Sequence, residues 1–438
     1  MNRRVVLELQ DRNVSDFVPM AVTMILGIAS MLNIPEIIKV LAGGIYLGTL
    51  LFLPATQSIK YLMFSLCANE LLDIGSTSLT MIFVALFCAI QSVFRLKESK
   101  IPASVFLSLY VLAALGLIAL FVVDTKEALL NTVKHIFFLF YTANVIEESR
   151  ESWKKLYTEV FQYMGFGVIF YTLLSIAING LPSLSVRFTP ADEITINFFG
   201  IVGALAIVNM LYGSLILKSN AKLNTLVIVG CTFCGLLTQS RTFILAVGLG
   251  IVLIALFTPS MRIKFRFLAV GFLSALIVLT LYKSVPSIAE RIDAVIFRIL
   301  DPSDGDISNG RYDLWAKTIN AMTSNPTYIW LGAGDYNRIG AIDEGKVRVA
   351  HNLFLETWVI YGVIGCVLLV IIYIIYLKYY MFSIKKGTLK IVTLSPIIVM
   401  LCSFFYSHHF IGKSMSIVFV LSFLPIAMGL PNEEGESK

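Results

Sequence analysis

Charge is what this sequence has least of. Asp, Glu, Lys and Arg make up 14% of its 438 residues while 57% are apolar, far from the roughly one-quarter charged composition of a soluble domain. An ordinary water-soluble globule is thereby excluded. Internal repeats and low-complexity linkers are also missing, so the chain reads as one membrane domain, 1–438, carrying one water-facing insertion. No Ala-x-Ala cleavage site follows the first apolar run, which is therefore expected to be a retained helix rather than a signal peptide. The six cysteines all fall inside apolar runs, so no disulfide framework is expected in the polar part. Cys231 and Cys234 form a C-x-x-C without a partner Cys or His nearby, which favours small helix-packing residues over a metal or redox site.

What is present is a series of long apolar runs. A bilayer core takes roughly 20 apolar residues per helix. That window predicts fourteen spans: 18–33, 37–53, 59–74, 78–94, 101–123, 128–146, 160–178, 196–217, 223–239, 241–257, 267–283, 351–377, 391–407 and 414–430. The third is the weakest, because Asn69, Glu70 and Asp73 crowd its far end. Lys and Arg stay on the cytoplasmic side. With the N-terminus inside, the inner segments collect 20 of the 34 basic residues, and both termini are expected to be cytoplasmic. The net charge of +6 is then mostly a topology signal and argues against a nucleic-acid surface.

The remaining long polar stretch, 284–350, is expected outside. It has helical pattern. Ser287-Ile-Ala-Glu290 is a capping-box signal, followed by Ile288, Ile292, Val295, Ile296 and Ile299 at helical spacing. The run from Asp301 to Gly310 breaks that helix. A second amphipathic helix is expected from Arg311 to about Met322, with Leu314, Trp315, Ile319 and Met322 on one face, ended by Asn325-Pro326. Gly332, Gly334, Gly340 and Gly345 punctuate an irregular stretch leading to His351.

Polar groups at membrane boundaries are costly and often functional. His351 and Asn352 open the twelfth span. A helix N-terminus offers free N–H groups and a partial positive charge that suit a phosphate and would keep an imidazole neutral, as a general base requires; the plain alternative is a polar helix cap. Arg241 sits in the tight turn Thr238-Gln-Ser-Arg-Thr242, as an interfacial snorkel or an anion ligand. Arg311 follows Asn309-Gly310 at the start of the second loop helix, as a solvated face or an anion ligand. Arg187, in the outer loop 179–195, is a weaker candidate of the same kind. Lys134, His135, His408 and His409 are placed as cavity-lining or interfacial groups. Asp304-Gly-Asp306 matches a D-x-D metal motif, but two acids around a turn glycine are common. The stretch 284–350 holds seven basic and nine acidic residues, so any phosphate site there must be a few placed arginines.

His351-Asn352, nine residues, then Gly362-Val-Ile-Gly365 resembles the His-[Asn/Ser/Gln]-x9-Gly-x-x-[Gly/Thr/Tyr] motif of the bacterial O-antigen polymerase/ligase superfamily. Thr238-Gln-Ser-Arg241-Thr-Phe-Ile-Leu245 resembles its Arg-x3-Leu turn. Gly310-Arg311 with Trp315, and Leu331-Gly-Ala-Gly334, resemble the segment before the His motif. The pieces occur in the family's order across roughly 185–375; the first six spans match only in hydrophobicity. The resemblance implies an all-α, glycosyltransferase-C-like polytopic protein of the bacterial inner membrane with a large periplasmic loop. It implies a metal-independent, inverting transfer of glycan from undecaprenyl diphosphate to a hydroxyl, without a cofactor. By the same resemblance His351 is the base and Arg241 and Arg311 hold the diphosphate, with Arg187 placed by position only. The implied partners are the lipid-linked oligosaccharide, the bilayer and a chain-length regulator protein.

His-Asn-Leu-Phe-Leu-Glu356, with Gly-Ala-Gly before it, leans towards the polymerases, which extend a second lipid-linked repeat unit, over the ligases, which use lipid A–core. A rival of another class is a flippase for lipid-linked glycan. Transporters commonly show repeats and midplane sites on broken helices; here no repeat is seen and the polar candidates cluster at the outer face.

Overall fold

The fold is described from a computed structural model. It covers residues 16–66 (Asn33 apart), 73–74, 77–78, 87, 90, 141, 145, 148–149, 152–180, 182, 187–191, 196–215, 219–257 and 260–286. It continues with isolated positions between 289 and 297, then 311–334, 336–340, 342–343, 346–347, 350 and 352–383. Five of the fourteen expected spans (78–94, 101–123, 128–146, 391–407 and 414–430) lie wholly or almost wholly outside these residues. So do Lys134, His135, His408, His409, Asp304 and Asp306.

Helices dominate. In chain order they are α1 (Phe17–Met31), α2 (Glu36–Leu51), α3 (Ala55–Phe64), α4 (Trp153–Asn179), α5 (Ile196–Leu215), α6 (Ala221–Thr238), α7 (Arg241–Phe257) and α8 (Met261–Ser284). Then come α9 (Arg311–Thr323), α10 (Pro326–Leu331), α11 (Tyr336–Ile339) and α12 (Leu353–Ser383). Among the described residues, Lys155–Asn179, Ile196–Leu215 and Ala221–Thr238 are long and apolar enough to cross a membrane.

The third expected span, 59–74, is not one helix. α3 has 10 residues, about 15 Å at 1.5 Å per residue, and ends at Ser65, whose N–H bonds back to Tyr61. Beyond it, β1 (Asp73–Ile74) pairs antiparallel with β2 (Thr77–Ser78). Lys60, expected in an inner loop, lies in α3 instead. It is 8% exposed and bonds to Glu159 of α4 at 3.1 Å.

α5 is the centre of the main bundle, packing against α4, α6 and α7. Its sequence is apolar on every side, as a fully surrounded helix must be, and residues 198–210 are buried without interruption. Small residues bring the helices close. At Gly165 of α4 an added Cβ would meet Val227, Cys231 Sγ at 3.2 Å and Ala206 at 3.3 Å. Cys231 and Cys234 are buried, with Cys231 Sγ 3.6 Å from the Gly165 carbonyl, so the C-x-x-C packs α6 against α4. Buried polar side chains also bond from helix to helix. Tyr157 donates to Asn209 Oδ1, and Gln162 Nε2 donates to Asn224 Oδ1 at 2.8 Å.

A second, smaller core lies in the C-terminal half. Leu314 and Met322 of α9, Ala333, Ala350 and Val359 are buried together, with Trp315, Tyr328, Ile339, Leu355 and Trp358 around them. It joins the main core through Tyr361, with Ile360 and Leu368 beside it.

α12 departs from the expected continuous span 351–377. At Gly362 the backbone turns to φ 68°, ψ −171°, which divides it into a half-helix, 353–361, and a longer helix, 363–383. The cause lies upstream. The N–H groups of Ala333 and Gly334 both donate to the Val359 carbonyl, at 2.7 and 2.9 Å, satisfying an acceptor that the break would otherwise orphan. Gly332, itself at φ 85°, and Gly362 approach backbone to backbone: a Cβ on Gly332 would lie 2.7 Å from Gly362 N.

Candidate functional site

Arg241 is the first residue of α7. Thr238 ends α6, and Gln239 takes a left-handed φ of 50°. Ser240 caps α7: its Oγ accepts from Phe243 N at 3.4 Å and its carbonyl accepts from Ile244 N. Asn197, at the start of α5, holds the turn through Ser240 Oγ (3.4 Å) and Thr242 Oγ1 (3.2 Å). Buried Phe188 donates its N–H to the Leu237 carbonyl, which brings exposed Arg187 to the same end of the bundle as Arg241.

Arg311 is the first residue of α9 and, like Arg241, is half-buried. Arginine at a helix start is the wrong charge for the macrodipole, by about 0.3–1 kcal/mol. α7 has no acid in its first turn; α9 has Asp313, which pairs with Lys317 at 2.6 Å. At both helix starts the pole and the guanidinium therefore carry the same sign of charge.

His351 itself lies outside the described residues, but both its neighbours are fixed. Ala350 is fully buried, and its carbonyl accepts from Trp315 Nε1 at 2.6 Å. Asn352, 7% exposed, is the cap of α12: its Oδ1 accepts from Phe354 N at 3.0 Å and Leu355 N at 3.2 Å, and its carbonyl accepts from Glu356 N. The capping role thus belongs to Asn352. It also corrects one expectation. Two of the N–H groups at this helix start are already taken by the Asn352 side chain, and Glu356 sits buried in the first turn, which makes this helix end a poor seat for a phosphate.

Trp315 lies one turn beyond Arg311, on the face that adjoins it. The helix that Arg311 opens is thus bonded to the peptide of Ala350, and Arg187 and Arg241 lie at the same end of the main bundle. The irregular stretch before His351 hides one element that spacing could have found. β3 (Ile342–Asp343) pairs antiparallel with β4 (Lys346–Val347), and the Glu-Gly between them in sequence is an x-Gly hairpin signal. The first expected loop helix falls mostly outside the described residues, although Ala289, Glu290, Ile292, Asp293, Ile296 and Phe297 are helical.

Residues 226–370 match the family model described as O-antigen ligase. Arg241, Arg311 and His351 lie inside that segment and Arg187 outside it. No curated protein matches the chain, nor does any solved structure. Over residues 226–370, about a third of its length, the chain is similar to the O-antigen ligase family.

Proposed function

We propose that this protein polymerises surface-polysaccharide repeat units, of O-antigen or capsule, by moving a glycan from undecaprenyl diphosphate to a sugar hydroxyl of a second lipid-linked unit on the periplasmic face. The observation that carries the reading is the pair Arg241 and Arg311, each opening a helix, where a diphosphate would offset the unfavourable pole. His351 takes the proton of the acceptor hydroxyl. The acceptor oxygen bonds to the anomeric carbon as the carbon–oxygen bond to the diphosphate breaks. The electron pair leaves on the diphosphate, whose charge the arginines stabilise. A single displacement of this kind inverts the anomeric centre. Arg187 is the outer member of the arginine set.

A second reading, transfer to lipid A–core, is favoured by the description of the family model itself, O-antigen ligase. Purified protein in nanodiscs, given only lipid-diphosphate-linked repeat units and EDTA, separates the two. Longer chains are the expected result, and His351→Ala should abolish them without loss of membrane insertion. Growth that waits for lipid A–core makes the protein a ligase. Growth that needs added divalent metal returns Asp304 and Asp306 to the site. A His351→Ala variant with normal chain growth removes the base.

A further inference from the structure

Between the anion-binding arginine and the base the structure places one specific bridge. Trp315 belongs to the helix that Arg311 opens, one turn further on. Its indole N–H reaches across 35 residues of sequence to the carbonyl of Ala350 at 2.6 Å, the peptide oxygen immediately before His351. On the other side of His351, Asn352 caps α12 with two side-chain bonds. The base is bracketed by two anchored residues, and only one anchor comes from a different element. That anchor is itself fixed: Trp315 packs into the small core and meets the Tyr312 ring edge-on at 5.4 Å.

We propose that Trp315 is a positioning residue, tying the peptide that carries His351 to the helix that carries Arg311 so that base and diphosphate ligand hold one geometry. The inference rests on the functional reading above. The ring supplies packing; the N–H supplies direction. A small misplacement of a catalytic group costs on the order of 100-fold in rate, whereas donor affinity, set by the arginines, should be nearly untouched. The same core contains its own control. Trp358 makes the same kind of bond, from its indole N–H to the Ile329 carbonyl at 3.0 Å, but that bond ties α12 to α10 and reaches neither His351 nor Arg311.

The test measures glycan transfer by full-length protein in nanodiscs from undecaprenyl-diphosphate-linked repeat units, with Trp315→Phe, Trp358→Phe and His351→Ala in parallel. Trp315→Phe should lower kcat by roughly 10- to 100-fold with KM for the donor within about twofold. Trp358→Phe should lower the thermal midpoint by at least as much while keeping kcat within about threefold of wild type. If Trp315→Phe does not fold, benzothienylalanine at 315 keeps the bicyclic shape without the N–H, and the same kcat loss is expected. Wild-type kcat in the Trp315 variant, with His351→Ala inactive, overturns the positioning role alone. Equal kcat losses in the two Trp variants overturn it in favour of general packing. An active His351→Ala variant overturns the reading underneath.

Discussion

Adding one methyl group at Gly362 should disturb the small core more than almost any other single-carbon change. Two costs add. The conformation φ 68°, ψ −171° belongs to a region open essentially to glycine alone, worth about 1–3 kcal/mol for another residue. The new Cβ would also fall on the Trp330 carbonyl and 2.5 Å from Leu331 N. These are backbone atoms, which cannot rotate away, and overpacking costs about 1–3 kcal/mol. Gly362→Ala should therefore destabilise this region by roughly 2–6 kcal/mol. Gly332→Ala should behave alike, since its φ is 85° and its Cβ would lie 2.5 Å from the Ile360 carbonyl oxygen. Both changes attack one contact, so the double variant should cost less than the sum. Gly248→Ala in α7 meets nothing within 4 Å and should be neutral or up to about 1 kcal/mol stabilising. Intrinsic fluorescence is a local reporter, because Trp315, Trp330 and Trp358 are three of the four tryptophans. Their transition on heating or in urea should shift down for Gly362→Ala and Gly332→Ala. Coincident transitions for Gly362→Ala and Gly248→Ala would refute the backbone lock.

Three further outcomes follow from charge. Arg241→Lys and Arg311→Ala should each impair chain transfer at least tenfold in surface-glycan or nanodisc assays, because a point charge or none replaces a bidentate fork. Lys317→Ala, which removes an exposed i,i+4 partner of Asp313, should change neither transfer nor the thermal midpoint by more than about 1 kcal/mol equivalent. Lys60→Met strips Glu159 of its buried cation and should cost about 3 kcal/mol, reduced somewhat because Glu159 is 27% exposed and Lys155 lies 3.8 Å away. A thermal midpoint in detergent equal to wild type would show that the pair contributes nothing.

Hydropathy located helices well where the run of apolar side chains and the run of hydrogen-bonded turns coincide. α7 occupies 241–257, the same window that composition selects. The two diverge where a helix extends into polar sequence. α4 begins at Trp153, seven residues before its apolar window, and α8 at Met261, six before, because Lys154, Glu159, Arg262 and Lys264 suit a helix while raising the polarity. Divergence in the other sense occurs at 59–74, where an apolar average concealed the end of α3 and a hairpin. The break at Gly362 was hidden for the same reason: residues 353–376 are apolar almost throughout, and mean hydropathy carries no information about φ. Only paired glycines at a distance, Leu331-Gly-Ala-Gly334 and Gly362-Val-Ile-Gly365, signalled it, and they signalled it as motif rather than as geometry.

That geometry gives the motif spacing a physical meaning. Nine residues separate Asn352 from Gly362, and the half-helix 353–361 is those nine residues. Asn is at one end because an amide oxygen there satisfies two N–H groups, and Gly is at the other because no side chain fits against the Trp330 and Leu331 backbone. The upstream glycine segment then completes the stop by donating Ala333 and Gly334 N–H to Val359. Each residue of helix adds 100° of rotation and about 1.5 Å of rise. With the stop fixed at Gly362, the length of the half-helix sets where the Ala350 carbonyl falls relative to Trp315. The two motif segments, distant in sequence, are the two halves of a single frame, and His351 is the residue that the frame leaves between its two anchors.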